Sequence, residues 1–246
     1  MTFKAVYKEW LENPYYDEKT KAELLAIKDN EKEIEDRFYK ELEFGTGGMR
    51  GIIGAGTNRM NRYTIRKAAQ GLANFIKKYE PAKKSVAIAY DPRHCSYEFA
   101  LEVALVMACN DIKAYLFDEL RPTPELSFAV RYLNCGAGVV ITASHNPKEY
   151  NGFKAYGSDG CQLPPKESDA VIDAVNALTD ISKINCMKES EAINQGLLVI
   201  IGEEIDNQYI EECKKFSINP ELSKQYGKDT KIIYTPLHGS GNKPVR

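Results

Sequence analysis

The sequence predicts an α/β protein, a mixed β-sheet layered between helices, with the beginning of a second, similar domain at its C-terminal end. Three observations carry this reading. Short apolar runs alternate with helical patterns: VAIAYD at 86–91, KAYLFDE at 113–119 and GVVITAS at 138–144, the rhythm of strands joined by crossover helices. Only eight residues separate Ser144 from FKAYG at 153–157, too few for a crossover, so that strand pairs antiparallel with its predecessor. Finally, 246 residues exceed the ~150 of a typical single domain.

The elements follow in order. Residues 1–43 are rich in charge of both signs, with Leu24, Ile27, Ile34 and Phe38 at helical spacing; they predict short amphipathic helices packed on the outside of the first domain. From Phe44 to Lys78 the seven basic residues Arg50, Arg59, Arg62, Arg66, Lys67, Lys77 and Lys78 occur without one acid. The first half of that stretch is a glycine-rich loop and strand. In its second half, Thr64 is the expected cap of a helix whose apolar face is Ile65, Ala68, Ala69, Leu72 and Ile76. Arg59, Arg62, Arg66 and Lys67 read as a solvated face. Helices are expected from about Ser96 to Ala108, from about Pro124, and after Pro164-Pro165. A polar stretch from about Asp180 to Gln195 suggests a boundary, giving an α/β domain over 44–190. Residues 191–246 then form a linker and the start of the second domain: a strand at LLVIIG, a helix near Ile205–Phe216, the strand KIIYT, and a turn at HGSGNKPVR.

Composition narrows function. With 33 basic and 35 acidic residues the net charge is −2, so no strong field is available to hold a nucleic acid backbone. No signal-like segment and no run of about 18 apolar residues occurs, which reads as a cytoplasmic protein without a membrane partner. The six cysteines are scattered, with no C-x-x-C pair, and read as reduced thiols.

The segment with the most chemistry is GVVITASHNPKEYNGFKAYG at 138–157. An apolar strand delivers Ser144 at its carboxyl end, where α/β sheets open their ligand crevices. Asn146-Pro147 and Asn151-Gly152 are turn pairs, and the bend between them can converge backbone N–H groups on an anion. Lys154 returns on the paired strand within reach of the Ser144 hydroxyl, suited to proton transfer or to neutralising a phosphate. For an arbitrary Ser–His pair, a hydroxyl that merely closes a strand end is the commoner outcome. A serine hydrolase fits worse: no G-x-S-x-G elbow is present, and His145 points away from its neighbour in extended chain.

TASHNPKEYNGFKAY closely resembles the active-site serine loop of the α-D-phosphohexomutases, the phosphoglucomutase and phosphomannomutase superfamily. FGTGGMRG at 44–51 is similar to that family's first substrate-facing loop, YDPR at 90–93 to its Y-D-x-R element, and TPLHGSG at 235–241 to the opening of its second domain. The wording GTGGMRG and TNRMN is closer to the bacterial phosphoglucomutase branch than to the phosphoglucosamine branch. The resemblance implies that Ser144 carries a transferable phosphoryl group. It also implies that His145 and Asn146 hold that phosphate, that Lys154 assists proton transfer or charge neutralisation, and that Arg50 faces the same centre. Arg93 falls among the phosphate-binding residues by resemblance, while an Asp91–Arg93 ion pair supporting the loop is the competing role. His238 reads as architectural.

The implied activity is the interconversion of hexose 1-phosphate and hexose 6-phosphate, an intramolecular phosphotransfer through a bisphosphate intermediate. Its implied cofactors are Mg²⁺, held partly through the Ser144 phosphate, and glucose 1,6-bisphosphate as activator. The family's D-G-D-x-D-R metal loop is not in this sequence, nor are its later sugar and phosphate loops. The expectation is therefore an N-terminal part that works with the remaining domains of the same polypeptide and is inactive alone. Two alternatives are a short non-catalytic protein that binds sugar phosphates or a partner, and a sugar bisphosphate synthase of the same family.

Overall fold

A computed structural model describes residues 2–246. Its centre is a six-stranded mixed sheet of order β1-β5-β4-β2-β3-β6, built from β1 (Gly48–Ile52), β2 (Ser85–Tyr90), β3 (Lys113–Phe117), β4 (Ala137–Ile141), β5 (Tyr150–Gly157) and β6 (Leu198–Ile201). β4, β2, β3 and β6 run parallel, and β5 pairs antiparallel with both β4 and β1. The short Ser144-to-β5 connection thus produces the antiparallel strand that its length demands.

The N-terminal helices are α1 (Phe3–Glu12), α2 (Glu18–Ala26) and α3 (Glu31–Phe38). Next come α4 (Arg62–Tyr79), α5 (Ser96–Cys109), α6 (Thr123–Tyr132) and α7 (Pro165–Asn176). The C-terminal part holds α8 (Glu189–Asn194), α9 (Glu203–Lys214), α10 (Pro220–Tyr226) and α11 (Asn242–Val245). Among the described residues, no helix is long and apolar enough to cross a membrane.

Helix placement follows from handedness. The β2–α5–β3 crossover moves one way along the sheet and β3–α6–β4 moves back, so right-handed connections put α5 and α6 on opposite faces. Alternation along each strand supplies both. Val86, Ile88 and Tyr90 pack with α4 and α5, whereas Ala87 and Ala89 meet Leu126, Ala129 and Val130 of α6. On β5, Phe153 and Ala155 join the first core and Tyr156 the second.

The N-terminal helices form their own aromatic core: Trp10, Tyr16, Leu24, Ile34 and Phe38 close over Ala55 and Tyr63. Trp10 stacks on Tyr16 with ring centroids 4.2 Å apart. This unit grips the loop after β1. Arg37 donates to Ala55 O, Glu23 accepts from Ala55 N, and Asn58 donates to Asp36 O.

Several expectations need correction. Helix α4 is capped by Asn61, whose side chain accepts from the N–H groups of Tyr63 and Thr64, and Thr64 closes a reciprocal capping box from its third position. The four basic residues read as a solvated face are all paired, Arg59 with Asp36, Arg62 and Arg66 with Glu102, and Lys67 with Glu41; Arg59 and Lys67 are buried, Arg66 is half-buried and Arg62 stays exposed. Acids from the N-terminal region and α5 absorb the local excess of positive charge, a long-range pairing that no local pattern reveals. The sheet also runs past residue 190. β6 pairs with β3, and the polar stretch before it packs Cys186, Met187 and Ala192 against the core. KIIYT forms no strand; it has no pairing partner among the described residues, and Ile232 and Ile233 are exposed.

Candidate active site

Two parallel neighbours, β2 and β4, end side by side, and their loops make the site. β4 stops at Ile141, and Thr142 N still donates to Gly152 O at 3.0 Å. Beyond it the chain turns sharply: Ser144 sits in the left-handed region at φ 56°, a conformation that costs a non-glycine residue about 1–2 kcal/mol. Its hydroxyl is exposed at the tip, where Lys154 Nζ donates to Ser144 Oγ at 2.7 Å. The hairpin reach read from the sequence is therefore real geometry.

Lys154 lies on β5 opposite Gly48, and Arg50 lies opposite Gly152. Directly paired residues of an antiparallel ladder share a face, so Arg50 and Lys154 project on the same side. Gly152 is required there, because a Cβ would stand 2.5 Å from Thr142 O and 3.0 Å from Arg50 Cγ. The Arg50 side chain donates no hydrogen bond within the described residues, and the residue is exposed. Burial first, and the Arg50 charge second, pull the Lys154 pKa below the ordinary lysine range, while Asp91 acts the other way. A lysine so placed is a better proton donor than one in water.

The loop is held by Asp91 and Arg93. Asp91 Oδ1 accepts from Arg93 N at 3.0 Å and Ser96 Oγ at 2.8 Å, and Oδ2 from Thr142 Oγ1 at 2.6 Å. Arg93 Nε stands 3.3 Å from Asp91 Oδ2. Its two terminal nitrogens donate to the carbonyls of Ser144, Asn146, Pro147 and Tyr150 at 2.6–3.1 Å. The four protons of the two terminal nitrogens are thereby used, and Nε is left facing Asp91 as an ion pair. This arrangement supports the ion-pair reading of Arg93: the side chain shapes the loop, with both terminal nitrogens engaged by backbone carbonyls.

Of the remaining candidates, His145 is exposed and forms no hydrogen bond among the described residues, and Asn146 keeps a buried Oδ1 without a partner. Two clefts flank the Lys154–Ser144 contact. One, of about 640 Å³, is lined by Thr46, Gly48, Arg50, Tyr150 and Lys154. The other, of about 600 Å³, is lined by Ser144, Asn146, Lys148, His94 and His238. His238, read as architectural, thus borders the same cleft as Ser144. Thr142 was also missed. The signal available was its place two residues before Ser144, on a strand end where a hydroxyl is free to turn back on the chain.

No group of three or more His, Cys, Asp or Glu side chains able to hold a metal ion occurs among the described residues. Both oxygens of Asp91, the acid beside Ser144, are spent on internal donors. The residues present do not by themselves fit a Mg²⁺ site.

Comparison with known proteins gives the family and the fold. Residues 41–181 match the family model described as phosphoglucomutase/phosphomannomutase, alpha/beta/alpha domain I. A phosphoglucomutase of Staphylococcus haemolyticus is 43% identical over 207 residues, which cover 84% of this chain and 36% of the relative. One from Staphylococcus aureus is 37% identical over 86% of this chain and 37% of its own length. The chain thus spans little more than a third of these relatives. Among solved structures, the open form of the Paramecium phosphoglucomutase parafusin superposes with a TM-score of 0.65 at 18% identity, over 84% of this chain and 41% of that one. It shares the fold.

Proposed function

Because the chain belongs to the phosphoglucomutase/phosphomannomutase family, we propose that it is the N-terminal part of a cytoplasmic mutase that interconverts hexose 1-phosphate and hexose 6-phosphate through a phosphoserine at Ser144. The single observation that supports this most is the Lys154 Nζ–Ser144 Oγ contact of 2.7 Å on an exposed strand-end turn. A nucleophile is paired there with a cation of lowered proton affinity. In the forward half-reaction a sugar-phosphate hydroxyl oxygen bonds to phosphorus as the Ser144 Oγ–P bond breaks. The Lys154 proton passes to the departing Oγ, and the sugar hydroxyl proton restores the lysine. The bisphosphate formed then turns over and returns its other phosphoryl group to Ser144 by the reverse steps.

Phosphoryl transfer is catalysed mainly by positioning and by offsetting charge. Arg50 and Lys154 supply positive charge on one side of the serine, and on this reading His145 and Asn146, the next two residues of the loop, hold its phosphate. The family resemblance adds Mg²⁺, whose protein ligands this chain does not assemble, and glucose 1,6-bisphosphate as activator. On this reading the chain alone is inactive and needs further domains of the same polypeptide.

The test is a coupled mutase assay with glucose 1-phosphate, a trace of glucose 1,6-bisphosphate and Mg²⁺, run on the 246-residue chain beside its complete reading frame. Activity of the longer protein with none from the shorter is expected. Turnover by the 246-residue chain alone would contradict the incomplete-site reading, and inactivity of the complete protein would contradict the mutase reading.

A further inference from the structure

We propose that Thr142 is a positioning residue for Ser144: its hydroxyl, oriented by Asp91, holds the Ser144 backbone in the left-handed turn that brings Oγ to Lys154. The proposal rests on the phosphoserine reading given above.

Hydrogen counting fixes the direction of each bond. An ionised carboxylate only accepts, so the 2.6 Å contact between Thr142 Oγ1 and Asp91 Oδ2 uses the single proton of the threonine. Left with lone pairs, that hydroxyl accepts the Ser144 N–H at 2.9 Å. A parallel relay reaches the other Asp91 oxygen: Asn151 Nδ2 donates to Ser96 Oγ at 3.0 Å, and Ser96 Oγ donates to Asp91 Oδ1 at 2.8 Å. Both hydroxyls are polarised towards the same carboxylate, and such chains strengthen one another. Ser96, Thr142 and Asn151 are all buried.

The Ser144 peptide is held on both sides. Its N–H goes to Thr142, and its carbonyl accepts from Arg93 Nη2 at 2.8 Å. Both holders are anchored on Asp91. Ser144 lies three residues past the end of β4, where no ladder partner fixes its φ. Without the threonine hydroxyl, nothing on the N–H side offsets the cost of the left-handed conformation, and the chain is free to relax towards an ordinary turn that carries Oγ away from Lys154.

The test compares Thr142→Val, which keeps the shape and removes the hydroxyl, with Thr142→Ser, which keeps the hydroxyl. In the complete mutase the valine variant is expected to lose about 10- to 100-fold in kcat, the scale of an ångström-level misplacement. Its KM should stay within about threefold, and the serine variant should keep kcat within about threefold of wild type. A merely structural role would not separate kcat from KM, nor be rescued by serine. A crystal structure of the valine variant of this chain should show Ser144 out of the left-handed region, or the Oγ–Nζ contact broken. Wild-type kcat in the valine variant, equal losses in the serine variant, or an unmoved Ser144 would each overturn the proposal. Should valine prevent folding, Thr142→Ala read against Thr142→Ser gives the same contrast. If the complete protein transfers no phosphoryl group, the mutase reading fails while the crystallographic comparison still decides the positioning claim.

Discussion

VAIAY at 86–90 and KIIYT at 231–235 are similar words with opposite fates. The first becomes β2, with β3 on one side, β4 on the other and helices over both faces, and Ile88 is fully buried. The second is irregular, and Ile233 is 99% exposed. An apolar β-branched run is a strand only where neighbours offer hydrogen-bonding edges and an apolar face. The same contrast divides the chemistry. Around Ser144 the carbonyls of Ser144, Asn146, Pro147 and Tyr150 and both Asp91 carboxylate oxygens have named donors, whereas residues 216–246 lie mostly open.

The sharpest way to break this comparison is to ask whether chemistry depends on the rigid region. On the proposed mutase reading, replacing Ser144 with Ala in the complete protein should bring phosphoryl transfer down to background and leave the fold intact, because one exposed hydroxyl is removed. Near-normal turnover would refute the assignment. Lys154→Ala should lower kcat by about 100-fold, the usual scale for a positioned proton donor, with little change in KM. An unchanged kcat with a raised KM would make Lys154 a binding residue instead.

The two apolar runs can be compared directly through stability. Ile88→Ala should cost about 2–5 kcal/mol in urea denaturation of this chain, since a buried side chain leaves a cavity. Ile233→Ala should stay within about 0.5 kcal/mol, as expected of an exposed site. A large loss at Ile233 would mean that this stretch packs in solution after all.

Legibility from sequence divides along the same line. The alternation of strands and helices, the antiparallel β5 and the Ser144–Lys154 approach were readable because each depends on local periodicity or on the length of one connection. The burial of Arg59 and Lys67 was not, because their partners Asp36 and Glu41 lie more than 20 residues away and join only when the N-terminal helices dock. The pairing of β6 with the same sheet was hidden for a related reason. Polarity around 180–195 marks chain that crosses under α5 to reach β6, and polarity alone does not distinguish such a crossing from a linker. The engagement of both terminal nitrogens of Arg93 needed three dimensions, since the four carbonyl partners are more than 50 residues distant in sequence.

The smallest effect concerns the junction between the two regions. Arg121, fully buried, donates to Asp206 through Nε at 2.7 Å and Nη2 at 2.8 Å, and to Asp118 at 3.0 Å. Glu125, equally buried, finds no donor: Arg121 Nε is 3.6 Å away and engaged elsewhere. Burial first, and then the neighbouring Asp206, push the Glu125 pKa up to about 8 from 4.5. Between those values the folded chain keeps a proton that the unfolded chain has released, so this group makes stability fall as pH rises from about 4.5 to about 8. Asp206, held low chiefly by Arg121 against the pull of burial, acts only at more acid pH. Glu125→Gln should flatten the decline seen in urea denaturation between pH 5 and pH 8, and an unaltered slope would assign that decline to other groups. Lys243 brings the C-terminal stretch to this cluster, 3.8 Å from Asp206, and its charge lowers the Glu125 pKa. Lys243→Gln should therefore steepen the same slope slightly. If it leaves the slope untouched while Glu125→Gln flattens it, the C-terminal stretch does not rest on the cluster in solution, and the contrast between the two regions is sharper still.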